Sequence, residues 1–171
     1  MHYRSFMTFN KEKANNSEEA RFYVRNFLEE EGFCSDGFFS SSIADWFVIG
    51  GRWSGKLQDI KIFDEVMKML KKKKDEHIYT SDLDDEKTKK KIQKIWESKG
   101  GKGESSYTRN QYNTDGYEDD AMIVTKKLYD KFLKDYEGTE TDGEHFWDLD
   151  YEEVSEKFIG TKYIVVCDYH N

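Results

Sequence analysis

KYIVVCDY, residues Lys162–Tyr169, is the stretch that decides the fold. Its apolar run, Ile164–Cys167, lacks the alternation of a half-solvated strand and is typical of a strand that is buried on both faces. We therefore predict that this segment forms the closing strand of the chain and lies centrally in a sheet.

Outward from this strand, strand-like and helix-like segments alternate along the chain. His2–Asn10 alternates weakly and predicts a first strand. Ser17–Glu31 is the clearest helix, because its apolar residues recur at helical spacing. Asn16 or Ser17 can cap it, with Glu19 lying three residues after Asn16 as in a capping box. Further strands are predicted at Asp45–Ile49 and Ala121–Thr125, and further helices at Ile60–Lys72, Asp84–Ser98, Lys126–Tyr136 and Tyr151–Ile159. This order predicts one α+β domain over residues 1–171, with helices packed on a mixed or mostly antiparallel sheet.

The composition indicates an acidic chain with an aromatic-rich core. Of the 171 residues, 36% are hydrophobic, 16% aromatic and 36% charged, and the formal net charge is -8. Recurring aromatic residues argue against disorder, and no apolar run approaches the roughly 20 residues that span a bilayer. The N-terminus lacks the apolar core of a secretory signal, and Cys34 and Cys167 are too few for a disulfide framework. We therefore expect a reduced, cytoplasmic protein.

The stretch Ala44–Gly55, ADWFVIGGRWSG, indicates a sharp corner of the backbone. A buried strand stops at two glycines, and we expect a hairpin turn that returns Trp53–Leu57 beside it. Glycine N–H groups and an arginine in such a turn suit an anion such as a phosphate. The competing interpretation is a structural corner, with both tryptophans in the core and Arg52 paired to Asp45.

The end of the last strand adds two polar residues to this candidate site. Asp168 and His170 are two residues apart, so their side chains share one face of the strand, as an acid–base pair requires. The competing interpretation is a frayed C-terminus with an exposed histidine. The candidate ligand-binding residues are Gly50, Gly51, Arg52, Trp53, Asp168 and His170.

The last third of the chain is strongly acidic. Residues Gln111–Asn171 contain 16 Asp and Glu against 6 Lys and Arg, interleaved with aromatic residues. Carboxylates on an ordered aromatic framework can imitate the phosphates of a duplex and occupy a cationic groove. The competing interpretation is an acidic surface that serves solubility. The candidate partner-binding residues are Asp142, Glu144, Trp147, Asp148, Asp150, Tyr151, Glu152 and Glu153.

Other local patterns fail the requirements of the sites they suggest. GGKGES at Gly100–Ser105 lacks the phosphate-loop consensus and lies within residues 99–120, which we predict to be a flexible loop. The acidic clusters lack the ligand order of a calcium loop, and the histidines lack zinc-site spacing. No nucleophile elbow is visible. We expect no metal, no cofactor and no catalytic residue, and no direct binding of duplex DNA.

Three segments resemble a family of small uncharacterised proteins found in phages and mobile elements. They are DWFVIGGRWSG (Asp45–Gly55), DDAMIVTKKLYDKF (Asp119–Phe132) and KYIVVCDYHN (Lys162–Asn171). The resemblance implies a phage or prophage accessory gene. By analogy with other small acidic phage proteins, it implies a role in blunting host defence.

These observations lead to a functional expectation and two alternatives. We expect a non-catalytic phage counter-defence inhibitor whose acidic-aromatic surface occupies the nucleic-acid groove of a host defence nuclease. The first alternative is a protein that binds a nucleotide messenger, or hydrolyses it as a phosphodiesterase, at Gly50–Trp53. The second is a structural phage component. Charge reversal near Asp148–Glu153 should weaken protein inhibition, whereas Arg52→Ala should weaken nucleotide binding.

Overall fold

The computed structural model describes residues 2–30, 46–73, 76, 78–101, 103–105, 107–108, 120–137 and 145–170. The strands are β1 (His2–Asn10), β2 (Trp46–Ile49), β3 (Ala121–Ile123), β4 (His145–Asp148) and β5 (Lys162–His170). The helices are α1 (Ser17–Glu30), α2 (Phe63–Met69), α3 (Thr80–Leu83), α4 (Glu86–Ser98) and α5 (Lys126–Leu128). Helix α5 continues as a π-helical turn over Tyr129–Leu133 and a 3-10 turn over Lys134–Tyr136. Other 3-10 turns lie at Lys11–Lys13, Gly51–Trp53, Lys56–Lys61 and Glu156–Phe158.

Strand β5 is the centre of the sheet. Strand β1 pairs with it in antiparallel fashion along its whole length. The other edge of β5 is shared by two short antiparallel strands laid end to end, β2 against Cys167–His170 and β3 against Tyr163–Val165. Strand β4 lies on the outer edge of β1 and runs parallel to it. The predicted α+β class, the mixed sheet and the central position of the last strand are confirmed.

Helical segments cover both faces of this sheet. One face is closed by α1, and the opposite face by α5 with its π-helical continuation. Alternate residues of β5 serve the two cores, as the two-residue period of a strand requires. Val165 and Cys167 belong to the core on the α1 side, whereas Ile164 and Val166 belong to the core on the α5 side. Asp168, two residues beyond Val166, therefore lies on the α5 side.

Helices α2 and α4 lie between β2 and β3 in the sequence. They share a smaller core that is separate from the two cores of the sheet. Its buried members are Ile62, Val66, Ile92 and Trp96. The helix predicted at Asp84–Ser98 is thus present with a later start, while the one predicted at Ile60–Lys72 is reduced to Phe63–Met69. Among the described residues, no helix is both long enough and apolar enough to cross a lipid bilayer.

The start of α1 confirms the predicted cap. The Asn16 side-chain oxygen accepts a hydrogen bond from the Glu19 backbone N–H at 2.9 Å. The Glu19 carboxylate accepts in turn from the Asn15 N–H at 2.7 Å. The reciprocal bond therefore reaches one residue earlier than in a standard capping box.

Two predicted elements are wrong. Gly50 and Gly51 do not turn a hairpin, because the chain leaves the sheet through 3-10 turns and β2 pairs with β5 instead. Tyr151–Ile159 is not a helix, since it contains only the 3-10 turn Glu156–Phe158. The Tyr151 N–H donates to the Asp148 carbonyl, and the Glu152 N–H donates to the Asp148 carboxylate.

Strand β4 has no counterpart among the predicted strands. The loop predicted at 99–120 lies largely outside the described residues, so its flexibility stays a prediction.

Candidate functional site

The junction between β2 and β3 is where the candidate site begins. Strand β2 ends opposite Cys167 and β3 starts opposite Val165, so Val166 lies at the junction. Gly50 takes this place, because its N–H donates to the Val166 carbonyl at 2.8 Å. The chain then leaves the sheet in the turn Gly51–Trp53.

Both glycines of this turn lie against a buried carboxylate. Gly50 and Gly51 have φ angles of 75° and 54°, a region that costs other residues about 1–2 kcal/mol. A Cβ on Gly50 would lie 2.2 Å from Asp120 Oδ2, and one on Gly51 would lie 2.5 Å from Asp168 Cβ. Glycine therefore allows the backbone to approach two aspartates that a larger residue would displace.

Asp120 ties the turn to the start of β3. The residue is 0% exposed, and its carboxylate accepts hydrogen bonds from Ser54 Oγ at 2.6 Å and from the Gly55 N–H at 2.7 Å. A buried donor without an acceptor costs about 1–3 kcal/mol, so these bonds stabilise the junction. Asp120 is a structural residue of the corner.

Asp168 lies beneath the turn and is 1% exposed. Its Oδ2 accepts from the Arg52 backbone N–H at 3.1 Å, and its Oδ1 lies 2.9 Å from His2 Nδ1. A neutral imidazole that donates from Nδ1 carries its lone pair on Nε2, as in the histidine–carboxylate pairs of acid–base enzymes. The His2 side chain is 23% exposed, so its ring reaches solvent while its carboxylate partner does not.

The histidine in contact with Asp168 is thus His2, whereas the sequence pairs this aspartate with His170. The His170 ring lies edge-on to the His2 ring, with centroids 5.0 Å apart. The β1–β5 register explains this cluster, since it places His2 opposite His170 and Arg4 opposite Asp168. Sequence reasoning missed His2. The antiparallel pairing of the first and last strands is the signal that would have found it.

The structure brings most of the predicted ligand-binding residues together: Gly50, Gly51, Arg52, Asp168 and His170 meet at this junction. We call these residues, with His2 and Asp120, the corner. The half-buried Trp53 packs instead against the core on the α5 side. Arg4 adds a second guanidinium on the same face of the sheet, 5.3 Å from the Phe6 ring centroid. The Trp46 side chain and Asp45 lie outside the described residues, so the alternative pair of Arg52 with Asp45 stays a prediction.

The predicted acidic surface begins with a buried ion cluster. Lys162 is 2% exposed and donates to both carboxylate oxygens of Asp148 at 2.8 Å. Asp148 also accepts from Thr8 Oγ1 at 2.7 Å and from the Glu152 N–H at 2.9 Å. Lys162 Nζ lies 3.6 Å from Asp150 and 3.5 Å from Glu152. We call these five residues the Lys162 cluster.

Asp150 is held by contacts within the protein. It accepts from the Asn10 N–H at 2.7 Å and pairs with Lys13. Burial raises the pKa of Asp150, but the hydrogen bonds from Lys13 and Asn10 outweigh it and hold this pKa below its usual value. The hydrogen bond to Asp150 raises the pKa of Lys13 to about 12. Asp148 and Asp150 are therefore engaged inside the fold.

The residues that follow Asp150 reach solvent. Tyr151 is 83% exposed and has a φ of 59°. The Glu152 side chain is 56% exposed, and Glu153 is exposed as well. The remaining predicted partner-binding carboxylates, Asp142 and Glu144, lie outside the described residues.

Trp147 lies on the other face of β4, away from these carboxylates. It is half-buried, and its ring centroid lies 5.6 Å from that of His145 and 5.9 Å from that of Tyr169. Burial lowers the pKa of His145. Tyr3 stacks on Tyr169 with centroids 5.1 Å apart, so Trp147 belongs to an aromatic group on the α1 side.

Within the part of the chain that the structure describes, His, Cys, Asp and Glu side chains form no group of three arranged for a metal ion. Cys167 is a buried free thiol whose pKa is raised by burial, which disfavours the nucleophilic thiolate. No protein-family model, curated protein or solved structure matches this chain. Function is therefore inferred from the geometry of the corner and the acidic region.

Proposed function

We propose that this protein binds a small phosphate-bearing ligand of the nucleotide class at the corner. The observation that supports this most strongly is that the buried Asp168 accepts from the Arg52 backbone N–H and lies against the His2 ring, which has the His170 ring beside it. These residues come from three separate parts of the chain and meet only in the fold. Convergent cationic and hydrogen-bonding groups of this kind suit an anionic ligand.

The charges of the corner are arranged with the carboxylates inside. Asp120 and Asp168 are 0% and 1% exposed, and both accept hydrogen bonds from the turn. Arg52 and Arg4 are half-buried and lie nearer to solvent. Guanidinium groups match the geometry of phosphate oxygens. The buried carboxylates thus fix the backbone, and the half-buried arginines would supply the attraction for an anion.

A phosphodiester at the corner would also meet an acid–base group. The His2 ring, oriented by Asp168, can take a proton from a water molecule that attacks phosphorus while the bond from phosphorus to one ester oxygen breaks, and the same ring can return the proton to that departing oxygen. Hydrolysis of bis(p-nitrophenyl) phosphate tests this extension of the proposal. We expect turnover by the wild-type protein and its loss in His2→Gln, with nucleotide affinity reduced less than by Arg52→Ala.

Isothermal titration calorimetry with adenine and guanine nucleotides tests the binding itself. We expect Arg52→Ala to weaken the affinity about tenfold, because one charge-assisted hydrogen bond contributes roughly 1.5–3 kcal/mol. This variant retains the backbone N–H that Asp168 requires. Arg25→Ala is the matched control, since Arg25 lies on the exposed side of α1 and pairs with Glu29 at 3.3 Å. Equal affinities of the two variants, or no binding by any nucleotide, would contradict the proposal.

A second candidate function is supported by the exposed segment after the Lys162 cluster. The Tyr151 ring stands in solvent beside Glu152 and Glu153, and the buried cluster anchors their backbone. An ordered aromatic and acidic surface suits a cationic protein groove. It supports the proposal of a phage counter-defence inhibitor that occupies the nucleic-acid groove of a host defence nuclease in the host cytoplasm.

Capture of partners tests this second proposal. Nuclease-treated bacterial lysate is passed over the immobilised protein, and bound proteins are eluted with rising salt. We expect stoichiometric recovery of a defence nuclease and its loss with Glu152→Lys and Glu153→Lys combined. Glu97→Lys, an exposed site on α4, is the control and should retain the nuclease. Loss with Arg52→Ala instead would favour the corner over the acidic surface.

A further inference from the structure

The outer side of helix α4 carries a row of lysines. The helix buries Ile92 and Trp96 in the core that it shares with α2. Each residue advances a helix by about 100°, so residues spaced three, one and three positions apart lie on one side of it. Four exposed lysines have this spacing on the side opposite the core, and we call them the lysine stripe: Lys87, Lys90, Lys91 and Lys94.

The carboxylates of α4 and of its cap are engaged in contacts with other residues. Asp85 is the N-cap, and its side chain accepts a backbone N–H of the first turn at 3.1 Å. Glu86 pairs with Lys89 at 3.6 Å, and Glu97 accepts from Gln93 Nε2 at 3.3 Å. Within the described part of the chain, by contrast, no side chain of the lysine stripe forms a hydrogen bond or an ion pair. The lysine stripe therefore offers four positive charges to a partner outside the fold.

Positive and negative charge occupy different regions of the sequence. Residues 56–110, which include α4, contain 15 Lys and Arg against 11 Asp and Glu, whereas residues 111–171 contain 6 against 16. The net charge of -8 thus arises mainly from the acidic end of the chain, and it led us to expect no binding of duplex DNA. Interactions between exposed charges are screened beyond about 8–10 Å at physiological ionic strength. Distant carboxylates therefore act weakly on an anion that contacts the lysine stripe.

We infer that the lysine stripe binds the phosphate backbone of duplex DNA. From its first to its last lysine the stripe rises about 10 Å along the helix axis, and the same length of duplex carries about six phosphates. An ammonium group acts as a point charge that suits a phosphate oxygen. Contacts to phosphates carry no sequence information, so this binding is independent of base sequence.

The composition of α4 favours a duplex over two other anionic partners. A single strand is bound through exposed aromatic side chains on which its bases stack, and an anionic membrane takes up the apolar face of an amphipathic helix. The apolar residues of α4 instead pack into the core of the protein, and the stripe itself consists of lysines alone.

Fluorescence anisotropy of a short labelled DNA duplex, titrated with the protein at several salt concentrations, tests the inference. Each phosphate contact contributes about -0.9 to the slope of log K against log salt concentration, so four contacts predict a slope of about -3.6. Lys90→Gln combined with Lys94→Gln should change the slope to about -1.8, because two contacts are removed. Lys134→Gln combined with Lys157→Gln is the matched control. It makes the same change of net charge at exposed lysines in two 3-10 turns outside α4 and should keep the wild-type slope.

Both double variants should unfold at the wild-type temperature, because the sites are exposed and glutamine is a good helix former. Equal slopes for the two double variants, or no binding of the duplex by the wild-type protein, would overturn the inference. Tighter binding to vesicles of phosphatidylserine and phosphatidylcholine than to DNA would also overturn it and assign the lysine stripe to a membrane surface. The inference is independent of the corner, so Arg52→Ala should leave the salt dependence unchanged.

Discussion

Two regions of one sheet bury aspartates, and they compensate the negative charge differently. In the Lys162 cluster, Asp148 meets a lysine that is equally buried, at 2.8 Å from both oxygens. At the corner, Asp120 and Asp168 accept from backbone N–H groups, a serine hydroxyl and a histidine. Because the charges of Asp148 and Lys162 neutralise each other inside the fold, this pair attracts a ligand only weakly. The corner instead compensates its carboxylates through hydrogen bonds from the turn and through the contact with His2.

Removal of the buried lysine is the strongest test of this contrast. Lys162→Met leaves Asp148 charged and buried, and we expect the free energy of unfolding to fall by about 3–5 kcal/mol. Urea denaturation followed by tryptophan fluorescence measures the loss. The double variant with Asp148→Asn should recover part of it, because the uncompensated charge is gone. A loss below about 1 kcal/mol would show that the Lys162 cluster is not a stabilising ion pair.

A comparison of Gly51→Ala with Gly100→Ala tests whether the backbone of the corner lies directly against Asp168. Gly51→Ala places a Cβ 2.5 Å from Asp168 Cβ at a φ of 54°, so we expect a loss of about 2–3 kcal/mol from strain and overpacking. Gly100→Ala has a φ of 79° but nothing within 4 Å of the new Cβ. Its loss should stay near 1 kcal/mol, the strain alone. Equal losses of unfolding free energy in the two variants would contradict a close contact between Gly51 and Asp168.

The pH dependence of stability tests the burial of Lys131, which is the main cause of its lowered pKa. The folded-state pKa of Lys131, about 8, lies below the usual 10.5, so the unfolded chain binds more protons between these values and stability rises with pH. From pH 7.5 to 9.5 this contribution is about 1–2 kcal/mol after allowance for solvent screening. Lys131→Met should lack the rise in thermal unfolding experiments.

Lys126→Met is the control for the pH experiment. Hydrogen bonds from Lys126 to Asp130 and Glu156 raise its pKa above 10.5, so its stabilisation is lost only above that pH. The pH profile of this variant should therefore match the wild type between pH 7.5 and 9.5. Identical profiles for Lys131→Met and the wild type would contradict a desolvated Lys131.

The smallest effect concerns the exposed tyrosine next to the Lys162 cluster. Tyr151 has a φ of 59°, and asparagine tolerates this region better, so Tyr151→Asn should stabilise the protein by about 0.5 kcal/mol. Thermal unfolding measures the gain. If the same variant loses the captured nuclease, the strained tyrosine serves recognition at a cost in stability.

The parts of the fold that depend on local pattern could be predicted from the sequence. The uninterrupted apolar run of β5 and the helical spacing of α1 each specify their element without distant partners. Strand β4 could not be found in this way, because His145–Asp148 shows neither alternation nor an apolar run and pairs with β1 across most of the chain. The two glycines after β2 also mislead, since the same signal serves a hairpin and a turn that leaves the sheet.

Only part of the candidate site could be predicted from the sequence. The turn residues and Asp168 could be grouped by residue type, but His2 enters only through the β1–β5 register. The acidic pattern could not separate exposed carboxylates from internal ones. Lys162, which neutralises Asp148, follows it by 14 residues and enters the cluster only when β5 pairs with β1 beside β4.

The chain leaves the sheet at Gly50 and returns at Asp120, and the Asp120 carboxylate bonds to Gly55 across the base of this excursion. Its helices α2 and α4 have a core of their own. The cost of closing a chain segment grows slowly with its length. Insertions and deletions between these anchor points would therefore leave the strand order unchanged. The junction beside Val166 is thus a place where the length of the intervening chain can change at little cost in closure entropy.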